Sequence, residues 1–201
     1  MNNEVLYILL PDFAEHELVY LAEAISSDDY ALKDNPKYAN KFVAPTLEPI
    51  KSIGGFRLLP DYSFDSIPED YAALVLIGGY GWATPIADKV CPIVKKAVET
   101  GKIVGAICNG ASFMAKCGLL NNVRHTGNGL EQLQIWGGEN YVNADSYIHE
   151  QAVCDNNIVT ANGSAALEFA KEMLSALKND TEERIEMFYQ FHKRGFCELF
   201  K

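Results

Sequence analysis

Short apolar runs alternate along the chain with longer stretches whose apolar positions recur every three or four residues. Glu4 to Leu10 (EVLYILL) reads as a buried strand. Asp12 then opens a helix carrying Leu18, Val19, Leu21, Ala22 and Ile25 at helical spacing, with Glu15 three residues on to complete a capping box. Lys41 to Pro45 predicts a second strand, and Ser52 to Pro60 (SIGGFRLLP) a hairpin or turn followed by a short strand. Ala72 to Ile77 (AALVLI) has the unbroken apolar character of a parallel strand covered on both faces, and Gly78-Gly79 ends it.

A helical region follows from Thr84, with Pro92 suited to a first turn and Gly101 to a helix end. Lys102 to Ile107 is another central strand, and Gly110 to Cys117 a helix. From Tyr141 to Val159 the pattern alternates around a polar turn at Asp155-Asn156-Asn157, which predicts an antiparallel edge. Asn162-Gly163-Ser164 leads into a helix running to Lys178 with Ser164 as its N-cap. A last helix starts at Asp180 or Thr181 and stops at Gly195.

Strands that alternate with helices imply a mostly parallel α/β sheet with helices on both faces. Ligand sites in such sheets lie beyond the carboxyl ends of the strands. Three strand ends carry unusual chemistry: Pro11 to Glu17, Gly78-Gly79 and Cys108-Asn109.

The length of 201 residues suits one domain spanning 1–201, with the helix at about 180–195 as an appendage. A formal net charge of −10 argues against a nucleic-acid partner, because neutralising phosphates needs clustered Lys and Arg. The one basic cluster, His192-Lys193-Arg194, fits a helix C-terminus. The start of the chain lacks a basic leader, and no run approaches the roughly 18 apolar residues of a membrane span. A cytoplasmic protein with no membrane partner is expected. The five cysteines (91, 108, 117, 154, 197) form an odd set without CxxC spacing, which speaks against structural zinc and a secreted disulfide framework. No metal or cofactor is expected.

Within VGAICNGAS, residues 104–112, Cys108 falls where a buried strand meets a helix, with Gly105, Ala106, Gly110 and Ala111 small enough for a tight turn. The helix N-terminus and nearby N–H groups should lower its pKa toward the nucleophilic thiolate. The N–H groups of Asn109 and of Gly78-Gly79 are candidates for an oxyanion site. A cysteine in an apolar strand end also serves as plain packing, and Cys91, Cys117, Cys154 and Cys197, which lack the elbow context, are assigned that role.

AICNGAS resembles the elbow of the ThiJ/PfpI superfamily, which includes intracellular protease-like proteins, glyoxalase-type enzymes and the Parkinson-disease-associated deglycase. VLYILLPDFAEHELV, SIGGFRLLPD, ALVLIGGYG, GLLNNVRHTGN and NNIVTANGSAALEFAKEML are similar to further family segments, in order, from Glu4 to about Leu177. The resemblance implies a flavodoxin-like three-layer sandwich, a small-molecule substrate, no cofactor and a capacity to pair as a homodimer. It places the family's acid on Glu17, in AEHEL, where a carboxyl kept neutral by an apolar site would hydrogen-bond the sulfur. Otherwise Glu17 would be a solvated first-turn carboxylate.

Two departures bear on the chemistry. Protease-like relatives carry His directly after the nucleophile, where this chain has Asn109, and others carry it after the elbow helix, where the matching position is Asn128. His125 and His16 are the alternatives for an imidazole at the site; His149 and His192 have no better claim by position. Peptidase chemistry is therefore disfavoured. The leading expectation is a glyoxalase/deglycase- or amidase-type enzyme acting on small carbonyls or amides. The alternative is a redox-responsive stress protein whose Cys108 is oxidised to sulfinate. A class I glutamine amidotransferase would need a late His-x-Glu pair, whereas His149 and Glu150 are adjacent. A transcription regulator would need more chain after Lys178.

Overall fold

The computed structural model describes residues 3–26 and 37–199. Strand β1 (Glu4–Ile8) lies inside the sheet, flanked in parallel by β2 (Ala39–Ala44) and by β6 (Ala73–Leu76). Alternation along β1 sends Tyr7 and Leu9 to one face and Leu6 and Ile8 to the other, all fully buried. Each such side chain contributes about 1.5–3 kcal/mol on leaving water, so two covered faces account for the unbroken apolar sequence.

Beyond β2 lies the short β5 (Tyr62–Ser63); beyond β6 come β7 (Ile103–Ile107), β9 (Ile158–Ala161) and β8 (Ala152–Asp155), giving the order β5-β2-β1-β6-β7-β9-β8. Only the β8–β9 pair is antiparallel, as the alternating pattern there predicts. A separate hairpin, β3 (Ile50–Lys51) with β4 (Arg57–Leu58), fulfils the turn expected at Ile53-Gly54-Gly55. This is the flavodoxin-like α/β fold.

One face is covered by α1 (Val19–Ser26), α5 (Ala166–Leu177) and α6 (Glu182–Arg194), whose Leu21, Ile25, Phe169, Met173, Ile185 and Phe188 form one core with the strands. The other face carries α2 (Val90–Glu99), α3 (Asn109–Lys116) and α4 (Leu130–Gly137), which bury Val94, Phe113 and Leu133 with Trp82. The short α7 (Phe196–Leu199) follows α6. Phe188 is buried and Tyr189 hydrogen-bonds Glu168 at 3.1 Å, so the aromatic face of α6 docks on its own domain.

Four local expectations are corrected. Asp12 does not open a helix: it sits at φ +58 in a turn, a 3₁₀ turn occupies Glu15–Glu17, and α1 begins only at Val19. Glu15 accepts from Ser52 and Gly54 of the hairpin instead of closing a capping box, because the chain must bend across the sheet end. Ser164 does not cap α5; its hydroxyl and N–H both bind Asn162 Oδ1, and Ala165 takes the N-cap position. Cys91 on α2 and Cys117 at the end of α3 form a disulfide, Cα atoms 6.0 Å apart, where packing alone was expected. The two helices bring them together on one face of the sheet, which a separation of 26 residues does not reveal.

Because β1 connects outward to β2 on one side and β6 lies on the other, the strand order reverses between them, opening a crevice at their carboxyl ends. Helix α3 is pressed against that end: a Cβ at Gly110 would come within 2.6 Å of the Leu76 carbonyl oxygen. Gly110→Ala must therefore push α3 off β6, and we expect a loss of about 1–3 kcal/mol in urea unfolding. An unchanged midpoint would show that α3 is not seated on that carbonyl.

Candidate active site

Cys108 joins β7 to α3 at φ +58, ψ −125, a conformation that costs a non-glycine residue about 1–3 kcal/mol unless its surroundings enforce it. They do so from both sides. Its N–H donates to the Ala161 carbonyl at 3.0 Å, and its own carbonyl accepts from Ala111 and Ser112 at 3.1 and 3.3 Å. The elbow turns the sulfur out over the crevice.

Glu17 reaches the sulfur from the buried side. It is 2% exposed, accepts the Gly78 N–H on Oε2 at 2.8 Å and hydrogen-bonds Cys108. Burial pushes its carboxyl above the usual range, outweighing the bonds from Cys108 and Gly78 and the attraction of His16. The sequence alternative of a solvated first-turn carboxylate does not hold.

The expectation of a depressed cysteine pKa is corrected. Burial and then the charge of Glu17 push the Cys108 thiol above its ordinary value, although the Asn128 amide and the Asn109 N–H pull the other way. With a carboxylate against the sulfur, the helix N-terminus is too weak to win. Two negative charges in contact repel, so either group ionises more easily while the other stays protonated.

Two asparagines, Asn109 and Asn128, meet the sulfur, one through its backbone and one through its side chain. Asn128 Nδ2 donates to Cys108 Sγ at 3.3 Å, and its Oδ1 accepts the Gly163 N–H at 2.8 Å. Since a backbone N–H can only donate, it fixes which end of the amide meets the sulfur. The Asn109 side chain turns away, donating to the Gly79 carbonyl at 2.9 Å and accepting from Gln132 on α4 at 2.9 Å, so only its N–H touches the sulfur. The Gly78 N–H, assigned to an oxyanion from the sequence, is bound to Glu17 instead. Gly163 follows β9 and leaves no room for a side chain, since a Cβ there would lie 2.9 Å from the sulfur.

A cavity of about 710 Å³ opens from the sulfur between the loops that carry Asn128, Tyr147, His149 and Asn162. His125, a candidate for the site, is instead fully buried, bound to the Val123 carbonyl and Tyr141 hydroxyl at 2.9 and 2.7 Å. His16 is exposed beside Glu17 and acts on it only through its charge. Cys154 is half-buried and Cys197 exposed. Gly163, Gln132 and His149 carry no signal in the sequence, because each reaches the site by a loop or helix whose register is set only by the packed fold.

The chain matches the DJ-1/PfpI family over residues 3–176. It is 36% identical to YdeA of Bacillus subtilis, an uncharacterized protease by name, over 96% of this chain and 92% of that one. A crystal structure of a thiJ/pfpI family protein from Bacillus anthracis superposes with a TM-score of 0.92 at 30% identity, covering 100% of this chain and 94% of that one. More distant relatives are the glutathione-independent glyoxalase DJR-1.2 of Caenorhabditis elegans (22% identical, 68% of this chain and 72% of that one) and the deglycase TK1284 of Thermococcus kodakarensis (28%, 61% and 70%). The chain belongs to the DJ-1/PfpI family.

Proposed function

We propose that this protein is a cofactor-independent enzyme in which Cys108 adds to small electrophilic carbonyls, converting 2-oxoaldehydes to 2-hydroxy acids. The observation that carries this reading is the contact between the Cys108 thiol and a buried carboxyl, Glu17, whose proton affinity is raised. A base of raised pKa accepts a proton more readily near neutral pH, which is what an imidazole would otherwise supply. The names of the glyoxalase and deglycase relatives support the substrate class.

The steps follow from those two groups. As sulfur bonds to the aldehyde carbon, the thiol proton passes to Glu17 and the carbonyl electrons move to oxygen, which Glu17 then protonates to give a hemithioacetal. Glu17 next takes the proton from C1, whose electrons form the C1=C2 bond of an enediolate. Return of the proton to C2, with the proton on the C1 hydroxyl passing to the oxygen on C2 as the C1 carbonyl re-forms, leaves the thioester of a 2-hydroxy acid. Water attacks the thioester carbon, the C–S bond breaks, and the thiol is restored with a net uptake of one water. The Asn109 N–H and Asn128 Nδ2 are the donors nearest the changing sulfur and oxygen charges.

A second reading rests on the same groups. Glu17, Asn128 Nδ2 and the Asn109 N–H would equally hydrogen-bond a Cys108 sulfinate, making oxidation a stable end state instead of turnover. A peptidase reading finds less support, since amides stand at positions 109 and 128.

Hydroxy-acid formation from methylglyoxal without glutathione should be seen with the native protein and lost in Cys108→Ser. No turnover in the native protein would reject the enzymatic reading and leave sulfinate formation to be followed by mass spectrometry.

Glu17→Gln separates base from charge. We expect turnover to fall by about 100-fold or more with the proton acceptor gone. Alkylation of Cys108 by iodoacetamide at neutral pH should instead rise several-fold, up to about tenfold per unit of pKa relieved, because a charge that holds the thiol up has been removed. In the native protein that alkylation should climb with pH through a midpoint above the ordinary thiol value. Parallel changes in both rates would mean that Glu17 only shapes the site.

Stability gives a further check. A carboxyl whose folded pKa is raised stabilises the fold below its unfolded value, and that contribution is lost as pH rises through the folded value. Glu17→Gln should therefore be the more stable protein at neutral pH, by about 1.4 kcal/mol per unit of displacement, and the gap should close in mild acid. A gap independent of pH would place the effect elsewhere.

A further inference from the structure

Hydrolysis of a Cys108 thioester requires that a water lose a proton on the solvent side of the sulfur. Glu17, bound to Gly78 and in contact with the sulfur, is engaged in the proton transfers within the substrate. Asn109 and Asn128 have no basic atom. Among the described residues, His149 is the histidine that lines the cavity with Cys108. His125 is sealed in the core, His192 is packed against the rings of Tyr20, Phe188 and Phe191, and His16 lies outside the cavity wall.

The backbone holds His149 on that wall. Residues on either side are tied to the segment that leads to Asn128. The Ile148 N–H donates to the His125 carbonyl at 2.8 Å, and the Thr126 hydroxyl donates to the Glu150 carbonyl at 2.9 Å. His125 and Tyr147 form a parallel bridge between the two segments. The imidazole at 149 and the amide that touches the sulfur are thus carried by one paired unit. The titratable groups around His149 are Tyr147 and Glu150 of its own segment and Cys108 across the cavity, with Glu17 behind it; neither Lys nor Arg lines the wall.

We infer that His149 is the general base for the hydrolytic water, an assignment that rests on the reading of Cys108 as a nucleophile that becomes acylated. The imidazole lone pair takes one proton of a water as its oxygen bonds to the thioester carbonyl carbon. The tetrahedral oxyanion collapses, the C–S bond breaks with its electrons on sulfur, and the imidazolium returns the proton to that sulfur. The products are the free acid and the thiol. Glu17 and His149 then divide the reaction, the carboxyl moving protons within the substrate and the imidazole activating water.

The test uses an acyl donor that bypasses the 2-oxoaldehyde steps. Native protein and His149→Gln are acetylated with p-nitrophenyl acetate, and loss of the acetyl group from Cys108 is followed by peptide mass spectrometry at neutral pH. His149 is exposed, so the variant keeps its core. The variant should shed the acetyl group about 100-fold more slowly than the native protein. An acetyl group that never forms on Cys108, or that leaves both proteins equally fast, would overturn the assignment. Absence of methylglyoxal turnover alongside a slowed variant would instead reject only the substrate reading and leave His149 as the base.

Discussion

The hydrogen bond from the Gly78 N–H to the Glu17 carboxyl is the constraint on which the rest of the site depends. It ties the segment after β1 to the end of β6 at the point where the sheet order reverses. It also holds a carboxyl away from water and against a sulfur. Burial without that bond would leave an unpartnered acceptor, at a cost of about 1–3 kcal/mol. With the bond in place, the carboxyl keeps a lone pair or a proton for Cys108. The strained elbow completes the arrangement, since a relaxed backbone at Cys108 would not face the sulfur toward Glu17.

Much of the fold was legible from the chain because both faces of the sheet are covered. Full coverage leaves unbroken apolar runs such as AALVLI, and the turns between them are marked by glycine. The edge pair β8–β9 was readable for the opposite reason, through its alternation around Asp155-Asn156-Asn157. What escaped was local geometry governed by distant partners. Glu15 answers to the β3–β4 hairpin and Ser164 to Asn162; helical spacing carries no record of either. Helix α4 was passed over, and with it Gln132, which locks Asn109.

The site was half legible. Cys108 announces itself through the elbow and Glu17 through the resemblance of AEHEL to the family's acidic segment, and the structure brings them into contact. Their electrostatics could not be inferred from adjacency to a helix start. The sign of the cysteine shift depends on how deeply the sulfur is buried and on a charge supplied from 91 residues earlier in the chain. Asn109 illustrates the same point. Its amide looks like a stand-in for a neighbouring base, yet it braces Gly79 and Gln132, and only its backbone meets the sulfur.

The Gly163 N–H, fixed beside Asn128, imposes a polarity on whatever side chain fills that position. It can only donate, so its partner must present an acceptor inward. A neutral imidazole seated there would accept from Gly163 with one nitrogen and aim the N–H of the other at the sulfur. Asparagine offers the same pair of faces, with oxygen toward Gly163 and nitrogen toward Cys108. The amide in this socket therefore shows the sulfur a donor and cannot take on a positive charge. The position is a fixed dipole, its polarity set by a backbone group that no side-chain exchange can reverse.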